Sequence, residues 1–109
     1  MMDEERLFSL QASKAANSVE YSEGSVVSKQ LIKLGGGTIS LFAFDKGQSL
    51  SGRSPLNAFV EVLEGKAEFV VDGKNIEVVG GEFIIIPANV PHSVKAVERF
   101  KMLSLMIKE

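Results

Sequence analysis

From about residue 25 onward, apolar and polar positions alternate in short runs cut by turn residues, which is the pattern of half-buried strands. Val26 to Ile32 opens on β-branched residues. Thr38 to Asp45 sets Thr38, Ser40, Phe42 and Phe44 on one face against Ile39, Leu41 and Ala43 on the other. Phe59 to Leu63, Lys66 to Asp72, Asn75 to Val79, Glu82 to Ile86, His92 to Val97 and Phe100 to Ile107 continue the series. About eight strands at this spacing predict an all-β sandwich or barrel. Gly35-Gly36-Gly37 reads as a turn, and Glu64-Gly65 and Asp72-Gly73 supply the positive φ of tight connections, so two consecutive hairpins are expected. The same alternation turns Phe42, Phe44, Phe69, Phe100, Met102 and Met106 toward the core. Only Leu7 to Ala16 carries helical spacing, through Leu7, Leu10 and Ala15, and a tethered arm fits that stretch equally well. The expected organisation is an N-terminal arm over residues 1–20 and one barrel domain over residues 21–109.

Composition narrows the chemistry. The chain has 109 residues, the size of one domain, with no cysteine and a single histidine, His92. Disulfide scaffolds, thiol nucleophiles and multi-histidine metal centres are therefore excluded as sequence expectations. A net charge of -2 offers no electrostatic footprint for nucleic acid or anionic lipid, so neither is an expected partner. The start, MMDEERLFSL, is acidic where a secretion signal is basic, and the longest strongly apolar run, Phe83 to Pro87, is far short of the ~20 residues that span a bilayer. A cytoplasmic location is expected. Gly35-Gly36-Gly37 lacks the lysine and helix of a phosphate loop, and no strand-to-helix nucleophile elbow accompanies His92.

One stretch carries a more specific pattern. Gly81, five residues, Pro87-Ala88-Asn89, two residues, His92, three residues and Ala96 reproduce the spacing glycine, proline-x-glycine, histidine, asparagine of the second cupin motif. Asn89 stands in the place of the second glycine and tolerates the same left-handed backbone. Gly47 and Gly65 sit at the ends of the first cupin motif, with Val62-Leu63-Glu64-Gly65 resembling its closing hairpin. The chain therefore resembles the cupin superfamily, in particular its small single-domain bacterial members. The resemblance implies a double-stranded β-helix, or jelly-roll barrel, with a pocket at one mouth, and a homodimer.

In metal-binding cupins three histidines and a carboxylate or amide converge on a divalent ion. Here the first-motif histidine positions fall on Arg53 and Pro55 and the glutamate position on Ala58, while the loop is about one residue tighter than the pattern, so Ser51 to Asn57 align in more than one register. Of the metal ligands only His92 matches. Asn57, Asp45 and Glu61 offer oxygen, yet nothing in the sequence aims them at His92, and Glu61, three residues from Ala58, falls on the opposite strand face. No cofactor and no divalent transition metal is expected.

The candidate ligand-binding residues are His92, Arg53, Asn57, Phe42 and Met102. His92 is either a turn remnant bonded to a carbonyl or a polar group at the pocket floor able to donate, accept or move a proton. Arg53 is either a solvated loop residue or a two-point clamp for a carboxylate or phosphate. Phe42 and Met102 are core residues that can also meet the apolar body of a ligand. Tyr21, in the N-terminal segment, is a candidate for a dimer interface. Glu98, Arg99, Lys101 and Lys108 read as a solvated edge. The leading reading is metal-free binding of a small molecule, anionic or carbohydrate-like, in a sensor or accessory role. The alternatives are a metal-independent isomerase, epimerase or lyase using His92, which needs a second acid-base group such as Tyr21, and a degenerate metal cupin kept as a structural dimer.

Overall fold

The computed structural model describes residues 10–108. Nine strands form two antiparallel sheets: β1 (Val26–Leu34), β2 (Gly37–Phe44), β3 (Ser49–Gly52), β4 (Asn57–Glu64), β5 (Lys66–Val71), β6 (Lys74–Val79), β7 (Phe83–Ile86), β8 (His92–Ala96) and β9 (Phe100–Ile107). One sheet runs β1-β2-β9-β4-β7 and the other β3-β8-β5-β6. This is the expected all-β jelly roll. The eight predicted strands are all present with ends moved by a residue or two. The ninth, β3, escapes the sequence pattern because Ser49-Leu50-Ser51-Gly52 is exposed throughout and has no buried face to alternate.

The two predicted hairpins fare differently. Asp72 (φ 53°) and Gly73 (φ 82°) both lie in the left-handed region and close a two-residue loop between paired Val71 and Lys74, a true hairpin. Glu64-Gly65 does not join a hairpin. It carries the chain from β4 in one sheet to β5 in the other, since β4 pairs with β9 and β7 while β5 pairs with β6 and β8. Positive φ at Gly65 serves a sheet switch here, and local sequence looks the same in both cases.

The inner faces pack Phe44, Val62, Ala67, Phe69, Val94, Ala96, Phe100 and Met102 into one core. Phe44 and Phe100, directly paired across β2 and β9, stack with ring centroids 4.5 Å apart and close one end of the barrel. The other end stays open.

The N-terminal segment shows no α-helix over residues 10–16. It contains a 3-10 turn at Ala15–Asn17, and Leu7 to Ser9 of the proposed helix lie outside the described residues. Val19 is buried against Leu41 and Ala43, with Ala15, Tyr21, Leu63 and Leu103 around them. Residues 15–21 thus lie as a strap over the outer face of the five-stranded sheet. Lys101, expected at a solvated edge, is only 7% exposed: its Nζ donates to the Ala16 carbonyl and lies 4.9 Å from the Tyr21 ring centroid. Among the described residues no helix is long and apolar enough to cross a membrane.

Candidate functional site

Three inward-facing positions on β9 set the depth of the open end. Met106, Ser104 and Met102 alternate inward, and below Met102 the Phe44–Phe100 stack seals the barrel. The cavity above that stack measures about 240 Å³. Phe42, Ala58, Val60, Phe69, Ile86, Val94 and the two methionines supply an almost wholly apolar wall. The polar side chains on it are His92, Ser51, Ser54 and Ser104, and no lysine, arginine, aspartate or glutamate lines it.

His92 begins β8 after Pro91, at the open end, paired with Gly52 of β3 and Val71 of β5. Its Nδ1 lies 3.3 Å from the Val90 carbonyl, which can only accept. A proton on Nδ1 satisfies that contact and leaves the Nε2 lone pair as an acceptor. Both sequence readings of His92 are thus present in one side chain: a carbonyl contact on one nitrogen and a place in the cavity wall. Asn89, at φ 66°, takes the left-handed conformation expected at the motif's glycine position.

The other candidates separate. Phe42 and Met102 line the cavity with His92. Asn57 does not: it lies on the outer face of β4, and its Oδ1 accepts a hydrogen bond from the Ala88 backbone N–H at 3.0 Å, pinning the loop after β7. Arg53 does not line it either and is exposed in the loop after β3. From the ambiguous stretch it is Ser51, Ser54 and Leu56 that face the cavity, followed by Ala58 on β4. Ser54 Oγ accepts from the Leu56 backbone N–H at 3.1 Å, so that hydroxyl holds its own loop.

Ser104 is the residue that sequence reasoning missed. It is 7% exposed on the inner face, and its side chain makes no hydrogen bond to any described residue. No sealed side-chain oxygen in the described protein lacks a partner, so this hydroxyl opens onto the cavity. Its signal was in the pattern of β9, where Phe100, Met102, Ser104 and Met106 share one face and only Ser104 is polar.

Tyr21 lies away from the cavity. Its hydroxyl donates to Glu64 Oε2 at 2.7 Å, and the Arg99 guanidinium and the Lys101 ammonium each sit 4.9 Å from the ring centroid. Burial, followed by the Glu64 hydrogen bond, pushes the phenol above its usual value. Asp45 binds the same cluster, accepting from Arg99 Nε at 2.8 Å and from the Gly24 and Lys46 backbone N–H groups. The Arg99 bond, with those backbone donors, lowers its carboxyl to about 2.

The cupin domain model matches residues 41–107, more than half of the chain. This chain is a cupin. A conserved protein of unknown function from Streptococcus pyogenes is similar to it at 32% identity and TM-score 0.87, over 92% of this chain and 89% of that one. A cupin 2 conserved barrel domain protein from Leptotrichia buccalis reaches 42% identity and TM-score 0.82, over 85% of this chain but 46% of that one. A cupin superfamily protein from Desulfitobacterium hafniense shares 28% identity at TM-score 0.83, over 86% and 87%. No curated protein matches.

Many cupins hold a metal ion, and this donor set does not suit one. The cavity wall provides one imidazole and three serine hydroxyls, and no group of three or more His, Cys, Asp or Glu able to hold an ion occurs among the described residues. These residues do not fit a resident transition metal, which takes three or four strong protein donors.

Proposed function

We propose that this cupin is a metal-free binding protein for a small neutral molecule with an apolar body, taken up at the open end of the barrel, in a sensor or accessory role. The carrying observation is an apolar, charge-free cavity of about 240 Å³, open at one end of the barrel, with one imidazole at its mouth. An unpaired carboxylate or phosphate in such a wall loses its hydration without gaining a counter-charge, which costs several kcal/mol. With Arg53 out in solvent, the anionic ligand considered from the sequence loses its support. A sugar fares poorly as well, because each hydroxyl left without a partner costs on the order of 1–3 kcal/mol. Tyr21, the second acid-base group that an isomerase or lyase would recruit, faces the other side of the sheet. Recognition is thus better supported than turnover.

Thermal shift and native mass spectrometry with neutral aromatic and aliphatic compounds, sugar phosphates and divalent metals test this reading. Neutral compounds are expected to stabilise the wild type and to lose that effect in Ala58→Phe, which fills the cavity. A stoichiometric transition metal in the purified protein, or sugar-phosphate binding that Ala58→Phe abolishes, would overturn it.

The proposed assembly is a homodimer closed over the outer face of the five-stranded sheet. Support comes from the apolar side chains that the N-terminal strap leaves uncovered there: Ile32, Phe83, Ile85 and Ile107 are each 40% exposed or more.

A further inference from the structure

A hydroxyl at the bottom of an apolar enclosure needs a reason. Because it opens onto the cavity, whatever fills that cavity has to supply its partner, and polar groups shut off from water nearly always have one. Ser104 sits one inward position deeper than Met106, flanked by Val60 on β4 and Ser40 on β2, with Met102 below it. Its oxygen faces the cavity and no described residue bonds it. On the opposing sheet His92 lines the same cavity, and with Nδ1 committed to Val90 its Nε2 is left as an acceptor. Sheets packed face to face lie about 10 Å apart, so the space between them holds one layer of a small molecule. An apolar cavity of roughly 150 Å³ holds benzene. At about 240 Å³, this one takes a ring with a few further heavy atoms.

We propose that the ligand belongs to the small neutral alcohols, of which a monocyclic phenol is the best-fitting class, and that Ser104 is the specificity-determining residue that reads its hydroxyl. The proposal rests on the cavity being the binding site. Phe42, Phe69, Met102 and Met106 enclose the ring, while the hydroxyl meets Ser104, which can donate or accept as the ligand requires. His92 Nε2 accepts from a second donor where the ligand carries one. Removing the ligand's hydroxyl leaves Ser104 unpaired, so the selectivity is against the hydrocarbon of the same shape.

The matched probes are p-cresol and toluene, titrated into wild type, Ser104→Ala and Ala58→Phe, with ¹³C-methyl methionine spectra reporting where each binds. In the wild type p-cresol is expected to bind about tenfold more tightly than toluene, and both are expected to shift the Met102 and Met106 methyls. In Ser104→Ala the preference for p-cresol is lost or reversed, because its hydroxyl now lacks a partner, while toluene binding is kept, which also shows that the variant is folded. Equal affinity in the wild type, or a preference that survives in Ser104→Ala, overturns the role of Ser104 and leaves the cavity as the site. If neither probe perturbs these methyls, the binding reading falls with it.

Discussion

Gly65 shows how one missing side chain holds the two sheets in place. It has φ 88°, and a Cβ built there would run into the Arg99 carbonyl oxygen and lie 2.7 Å from the Phe100 Cα and Cβ. Gly47 has a similar φ of 85°, but open space surrounds it. Gly47→Ala therefore meets only the backbone penalty, about 1 kcal/mol. Gly65→Ala adds overpacking against β9 and is expected to cost on the order of 3 kcal/mol in all. Urea midpoints at unchanged slope measure the difference, and equal losses at the two glycines would remove the steric part of the account. Residue-level legibility was uneven for a related reason. His92, Phe42 and Met102 were readable because fixed motif spacing or strict alternation placed them. Arg53 was not, because it lies in the loop between β3 and β4, where the period is broken, and Asn57 was not, because the strand expected from Phe59 in fact starts at Asn57, whose alternation with Ala58 turns it outward. Ser104 was overlooked because a serine inside an apolar strand carries no label distinguishing a packed hydroxyl from one that faces a cavity.

The strands were legible as elements, while the way they partner was not. Alternation reports which residues face inward but is silent on which sheet a strand joins, so Glu64-Gly65 resembled the Asp72-Gly73 hairpin until pairing was known. The N-terminal strap was also unreadable, because its hold depends on residues distant in sequence: Lys101 to Ala16, Tyr21 to Glu64, and Asp45 to Gly24 and Arg99. Asp45 makes that hold sensitive to acid. Its folded-state value of about 2 lies below the ordinary 3.8, so the unfolded chain takes up the proton first as pH falls. The stabilisation is complete above 3.8 and drains away as pH drops toward about 2. Asp45→Asn lacks this component, so its stability deficit relative to wild type is expected to be largest at neutral pH and to shrink through that window. A deficit that stays constant down to pH 2 in denaturant titrations would show that Asp45 contributes nothing through its charge.

At the scale of the whole molecule, the outer face of the five-stranded sheet is divided in two. The strap covers Leu41, Ala43, Leu63 and Leu103. The next row is open and crosses every strand: Ile32 pairs with Ile39, Ile39 with Leu105, Leu105 with Phe59 and Phe59 with Ile85. Phe83 stacks on Phe59 at 4.9 Å beside it. An apolar row this long exceeds the scattered exposure normal for a monomer and suits the centre of an interface, where stable pairs bury about 800 Å² per partner. A two-fold axis lying along the row sets it against itself in a second copy. The same rotation brings the flanking row that holds Glu61 over the one that holds Asn57 and Ile107. Each Glu61 carboxylate then meets the amide of Asn57 from the other copy, whose own Oδ1 is already taken by Ala88. An axis parallel to the strands would instead set Glu61 over the strap that covers Leu41 and Leu103, not over an amide that can donate to it. Sedimentation equilibrium is expected to show a dimer that Ile85→Glu splits into monomers, while Val79→Glu on the other sheet leaves it intact. Asn57→Asp keeps the Ala88 bond but opposes two carboxylates, weakening the dimer about tenfold, and adding Glu61→Lys restores it. Failure of that rescue would rule out this axis. A wild-type monomer in which deletion of residues 1–9 newly exposes dye-binding surface would assign the face to the chain's own N-terminus and not to a second copy.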